Sequence, residues 1–154
     1  MGRTGCFSGE LKTVYHEDLK MSEVLEPFWF VRPNGEPVPA PKGMMTDFAS
    51  TPFGVRNLFP QFGSHNRAAV IHDFLYQGEF VPRVLADKVF KEALEAIEQV
   101  PRWKIPIMYW GVRVGGGATY FQHTKLSIHR ACRLARVSNN GCRPLWKDGN
   151  FHFV

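Results

Sequence analysis

Cysteine is the first shortage. The 154-residue chain has three, Cys6, Cys132 and Cys142, an odd set without a Cys-x-x-Cys pair, so neither a disulfide framework nor a zinc ribbon is written in it. Long apolar runs are missing too. Nowhere do 18 apolar residues stand together, and the opening MGRTGCFSGELK has no apolar signal core, which excludes a transmembrane helix and points to synthesis and folding in a cytoplasm. Acidic residues are scarce in one region. Residues 101–154 carry nine Lys and Arg against one Asp or Glu (net +8), whereas residues 1–100 carry ten against 13 (net −3). The positive field therefore belongs to the last third, where it suits nucleic acid, anionic lipid or an acidic protein, or is simply a solvated face.

What is present suffices for a packed globule. Forty-four per cent of the residues are hydrophobic and 14% aromatic, and the length is that of one domain, residues 1–154, with no need of a covalent staple. From Phe7 to Ser50 the chain reads as strands and turns. In FWFVRPNGEPVPAPKG an apolar run meets Asn34-Gly35, which suits a hairpin turn, and then a proline-broken, edge-like segment. TDFASTPFGVRNLFPQFGSHN follows, rich in Gly, Pro, Ser and Asn, and is expected to be an irregular, functional connection.

Two helices come next. The first, capped by Ser64 or Asn66, is expected to run to about Gln77 and stop at Gly78. Pro82 opens the second, in which Ala86, Val89, Phe90, Ala93, Leu94 and Ile97 keep helical spacing and form a core face. On the first helix His72 has Ala68, Ala69, Leu75 and Tyr76 at three and four residues to either side, which puts its imidazole in the apolar stripe. The short connection makes the helices antiparallel neighbours. His72 lies five residues before Gln77 and Asp87 five after Pro82, so equal axial rises set the two at similar heights and a His72–Asp87 hydrogen bond is expected. That bond would fix the imidazole tautomer. Asp73 would border the groove holding the irregular segment, and Asp47 would either join the site or cap its local turn.

In the last third, a short helix over Ile107–Val114 is expected to end at three glycines, with Met108, Tyr109 and Trp110 as core and hairpin cover. TKLSIHRACRLARV reads as another helix, with Leu126 and a basic stripe of His129, Arg130, Arg133 and Arg136 that suits anions. His129 and Cys132 stand one turn apart, but two ligands make no zinc site. The tail NNGCRPLWKDGNFHFV has two turn signals and an aromatic end, expected to tuck onto the body or a neighbouring subunit. The expected fold is thus α+β: a small N-terminal antiparallel β region, a central antiparallel helical hairpin and a basic helical C-terminal part.

Four segments in order, TDFASTP, AAVIHDFLY, ADKVFKEAL and MYWGVRVGG, resemble the domain-of-unknown-function family DUF1353, found in tailed bacteriophages and prophages. The resemblance spans about residues 7–116 and leaves 117–154 as a basic extension. It implies a phage protein made in the host cytoplasm and carried into the virion, a tail, capsid or adaptor component whose partners are other virion proteins. More locally, His-Asp-x-x-Tyr on one helix with Asp on its antiparallel partner resembles secreted phospholipases of the A-two type and their parvovirus relatives. That resemblance implies a calcium-dependent ester hydrolase. His72 would activate water, Asp87 and Tyr76 would hold it, and Asp73 would ligate calcium; Asp47, which the resemblance does not assign, is the further acidic candidate for a metal. The sequence departs from that pattern: the segment before His72 holds only Gly54 and Gly63, with no adjacent glycine pair for a calcium loop, and Ala68, Ala69 and Leu75 stand where flanking cysteines would be. Metal-dependent phosphohydrolases of the His-Asp superfamily offer a third comparison, with His65 as upstream ligand and Asp87 or Asp148 as the distant one, but a β-rich N-terminus is foreign to them. The plain alternative is a buried polar pin fixing helix register.

Overall fold

The structure is a computed structural model that describes residues 4–48, 63–121, 144–147 and 150–153. Six short strands come first: β1 (Cys6–Phe7), β2 (Thr13–His16), β3 (Met21–Val24), β4 (Phe28–Val31), β5 (Pro37–Ala40) and β6 (Met45–Thr46). They form two antiparallel three-stranded sheets, ordered β1-β4-β5 and β2-β3-β6. Three helices follow, α1 (Asn66–Gly78), α2 (Arg83–Glu95) and α3 (Lys104–Phe121), and then a separate two-stranded antiparallel hairpin, β7 (Pro144–Lys147) with β8 (Asn150–Phe153). The fold is α+β.

The β4–β5 hairpin forms where Asn34-Gly35 stands. Gly35 has φ +87°, its N–H donates to the Arg32 carbonyl at 2.8 Å, and the Asn34 side chain accepts the Glu36 N–H at 3.1 Å. Along β4, Phe28 and Phe30 are buried while Trp29 and Val31 are half-buried, the period of two that a one-sided sheet requires. Their cross-strand partners Ala40 and Val38 are buried as well. β5 is an edge strand of its sheet, as its prolines demand.

α1 packs against β5, α2 packs against α1, and α3 packs against α2. As a result α1 is not an amphipathic surface helix. Arg67, Asp73 and Gln77 are half-buried, and its other ten residues are buried, the environment of a helix enclosed on most sides. Its ends also differ from the expected ones. His65 holds the N-cap position without a side-chain hydrogen bond, Asn66 is already helical, and at the C-terminus Glu79, not Gly78, adopts the left-handed conformation, with φ 47°. Gly78 serves a different purpose: the Phe80 ring lies where its Cβ would be. On α2 the expected face is buried throughout, with Ala86, Val89, Phe90, Ala93 and Leu94 in the helix and Ile97 just beyond its end.

α3 overturns the expectation of a short helix. It runs through Gly115, Gly116 and Gly117 instead of ending there. A Cβ on Gly116 would stand 2.9 Å from the Tyr76 hydroxyl and one on Gly117 3.4 Å from an Arg83 nitrogen, so Gly116 in particular allows α3 a close approach to α1. Met108 is core and Tyr109 half-buried, but Trp110 is exposed. The expected helix bearing Leu126, His129, Arg130, Cys132, Arg133 and Arg136 lies outside the described residues, as do Asp148 and most of the irregular connection.

Candidate functional site

The site grows from one buried acid. Asp87 lies on the second turn of α2 and is 0% exposed, a position that an ionised carboxylate holds only with several donors around it. Its Oδ1 accepts from the Tyr76 hydroxyl at 2.5 Å and from His72 Nε2 at 2.8 Å. A carboxylate can only accept, so the His72 proton resides on Nε2. Oδ2 accepts from Arg113 Nη1 at 2.8 Å, and Arg83 Nε lies 3.8 Å from the same oxygen. His72, 2% exposed, is sandwiched by rings, its centroid 4.0 Å from that of Tyr76 and 4.9 Å from that of Phe90.

The groups of this centre come from all three helices, the hydrogen-bond donors to Asp87 from α1 and α3. His72 and Tyr76 are one turn apart on α1, Arg83 is one turn before Asp87 on α2, and Arg113 reaches in from α3. Arg83 ties the set together further: it donates to the Tyr76 hydroxyl at 3.3 Å, to the Val112 carbonyl at 2.9 Å and to the Arg113 carbonyl. Burial pushes the Asp87 carboxyl up, but the hydrogen bonds from His72, Tyr76 and Arg113 together outweigh it and hold the group below its ordinary value. Burial and then the bond to Asp87 push the Tyr76 phenol well above its ordinary value, so it stays a donor.

Asp73, one residue beyond His72, is half-buried and accepts from the Thr46 hydroxyl at 2.5 Å. Thr46 Oγ1 in turn accepts the Phe48 N–H at 3.1 Å. Thr46 thus caps this turn through its hydroxyl, and Asp47, which the sequence offered as a cap or as a further acidic member of the site, is exposed. Phe48 is buried with φ 53°, a left-handed conformation that costs an aromatic residue about 1–3 kcal/mol and marks a segment held in place by its surroundings. Gln77 adds a bond to the Met45 carbonyl at 2.8 Å. Thr46 and Gln77 therefore anchor β6 along α1.

Calcium, which the phospholipase resemblance implies, asks for six to eight oxygen ligands. Among the described residues no three His, Cys, Asp or Glu side chains converge to hold a metal, and Asp73 offers one carboxylate already bonded to Thr46. The described residues do not fit the ion. With His72 Nε2 already bonded to Asp87, His65, the ligand a His-Asp phosphohydrolase would need, stands at the N-cap of α1, about 10 Å from His72 along the axis by helical rise. It is buried, and burial followed by the charge of Lys104 lowers its pKa.

A second buried ionic group escaped the sequence reading. Arg32, at the foot of the β4–β5 turn, donates to Glu36 at 2.5 Å and through two nitrogens to Glu92 of α2, at 2.8 and 3.1 Å. A bidentate fork of this kind fixes geometry as well as charge. Arg83 and Arg113 escaped it too. Arg83 carried a readable signal, four residues before Asp87 on one helix, but Arg113 could be found only from the packing of α3.

These features define an α+β protein in which a buried carboxylate and its His, Tyr and Arg donors join three helices beside two small sheets. A family model described as "Protein of unknown function (DUF1353)" matches residues 22–112. The chain belongs to that family. No curated protein and no solved structure matches it. The matched region runs from β3 into α3 and takes in His72, Asp73, Tyr76, Arg83 and Asp87.

Proposed function

We propose that this chain is a phage-encoded virion or virion-assembly component, a tail, capsid or adaptor protein, in which the His72–Asp87 centre is a polar pin and not a reaction centre. One observation carries the choice: Asp87 of α2 is fully buried, receives hydrogen bonds from α1 and α3, and has Arg83 of its own helix at ion-pair distance, which is how a charge is arranged to lock helices into one register. The resemblance of its ordered segments to tailed-phage proteins supports the source, and a protein held by such a pin suits assembly with other virion proteins.

A second reading keeps a foothold. The bonds of His72 Nε2 and of the Tyr76 hydroxyl to Asp87 Oδ1, with Asp73 next along the helix, are the contacts that an ester hydrolase using His72 as general base would need. Two variants separate the readings. For a pin, His72→Ala lowers the melting temperature by roughly 6–12 °C, from about 3 kcal/mol of lost packing and hydrogen bonding, and neither wild type nor variant turns over phospholipid or simple esters. Turnover by the wild type that disappears in His72→Gln, with the melting temperature nearly kept, would overturn the proposal. Melts with millimolar calcium belong beside these assays, because a ligand that binds only the folded form raises the melting temperature by mass action. No calcium shift is expected, and a rise that Asp73→Asn removes would return Asp73 to the role of metal ligand.

A further inference from the structure

α3 carries two apolar faces and only one of them is buried. Ile105, Met108 and Val112, at i, i+3 and i+7, are 2–3% exposed and form the inner face. Ile107, Trp110 and Val114 repeat the same spacing two residues later, about 200° further round the helix, and are 37%, 63% and 84% exposed. Trp103, four residues before Ile107 in the turn that leads into α3, extends this outer stripe and is 61% exposed. Two tryptophans and two branched aliphatics on one ridge are far from the scattered single apolar residues of an ordinary surface.

The surrounding charge selects what covers the ridge. Arg102 and Lys104 flank its start, with the Lys104 ammonium 5.5 Å from the Trp103 ring centroid. From Gln99 to Lys147 the chain has no Asp or Glu. A two-fold dimer would bring two α3 helices together with basic flanks and no acid on either to pair with them. An anionic lipid surface answers both features, since indole rings settle at the headgroup level and Lys and Arg beside them meet the lipid phosphates. We infer that the outer face of α3, through Trp103, Ile107, Trp110 and Val114 with Arg102 and Lys104 beside them, docks onto an anionic membrane surface. The inner face stays in the core, so docking requires no unfolding of α3.

The test uses the full chain and sedimentation with phosphatidylglycerol-containing vesicles, pure phosphatidylcholine vesicles serving as the comparison. Binding to the anionic vesicles is expected, weakening with salt and much weaker on the zwitterionic ones. Trp103→Ser with Trp110→Ser should reduce partitioning by at least roughly ten-fold, and Arg102→Glu by more than the roughly five-fold that one surface cation contributes. All three substituted side chains are exposed, so melting curves should be unchanged. No binding to anionic vesicles, equal binding to both kinds, or full binding by the double tryptophan variant would each overturn the inference. A dimer seen by sedimentation velocity that Trp110→Ser dissolves would overturn it in favour of a second copy.

Discussion

His72 shows how far one residue's neighbours set its role. Its imidazole is held by a carboxylate on one helix and enclosed by rings from two, and the acid that holds it is itself held by Tyr76 and Arg113. Removing the hub is therefore costlier than removing a spoke. Asp87→Ala leaves buried donors unpaired and should destabilise by about 3–5 kcal/mol, against roughly 3 for His72→Ala. The same residues set an acid response. Asp87 titrates below its unfolded value, so the stability it contributes is complete above pH ~4 and declines as pH falls from there toward the folded pKa. His65 has a lowered pKa as well; its contribution is complete above ~6.5 and declines as pH falls toward its own folded value. Urea midpoints from pH 8 to 3 should accordingly fall in two stages. In His65→Gln the stage nearer neutrality should vanish and the acid stage remain.

Among the elements, α3 is the one whose glycines mean something other than they suggest. Three in a row read as a stop, because glycine weakens a helix by about 1 kcal/mol relative to alanine, yet the helix continues through them. The reason is spatial and differs between neighbours. At Gly116 an added methyl would meet the Tyr76 hydroxyl at 2.9 Å, a group pinned by Asp87, whereas at Gly117 the nearest atom is 3.4 Å away at the end of Arg83. Gly116→Ala should therefore destabilise by about 1–3 kcal/mol through overpacking, while Gly117→Ala should be neutral or stabilise by up to about 1 kcal/mol through helix propensity. Chemical denaturation of the two variants reads the difference directly. A gain in both would mean that α3 does not press on Tyr76.

Across the whole molecule, two ionic centres join parts distant in sequence. The Asp87 group links three helices, and Arg32 links the β4–β5 hairpin to α2 through Glu92, 60 residues away. Arg32→Ala would leave Glu36 and Glu92 facing one another without a cation, and should cost about 3–5 kcal/mol in an equilibrium unfolding measurement. Glu92→Gln keeps the shape of that contact and should cost less.

The sequence by itself determined the parts whose signals are local. Asn34-Gly35 specified the hairpin because few residues adopt its turn geometry, and the 3.6-residue spacing of α2 named its core face. The His72–Asp87 bond was legible because both ends lie on one short helical hairpin, where heights along the axes follow from counting residues. Only the tertiary structure decided the rest. Whether α1 has a solvent face depends on what packs around it, so its enclosure by β5 and α2 was invisible to periodicity. Arg113 and Arg32 joined their acids through long-range packing, and the glycines of α3 took their meaning from Tyr76 and Arg83, 40 and 34 residues back in the chain. Local geometry is a property of neighbouring residues, whereas a buried charge finds its partners only when distant elements close over it.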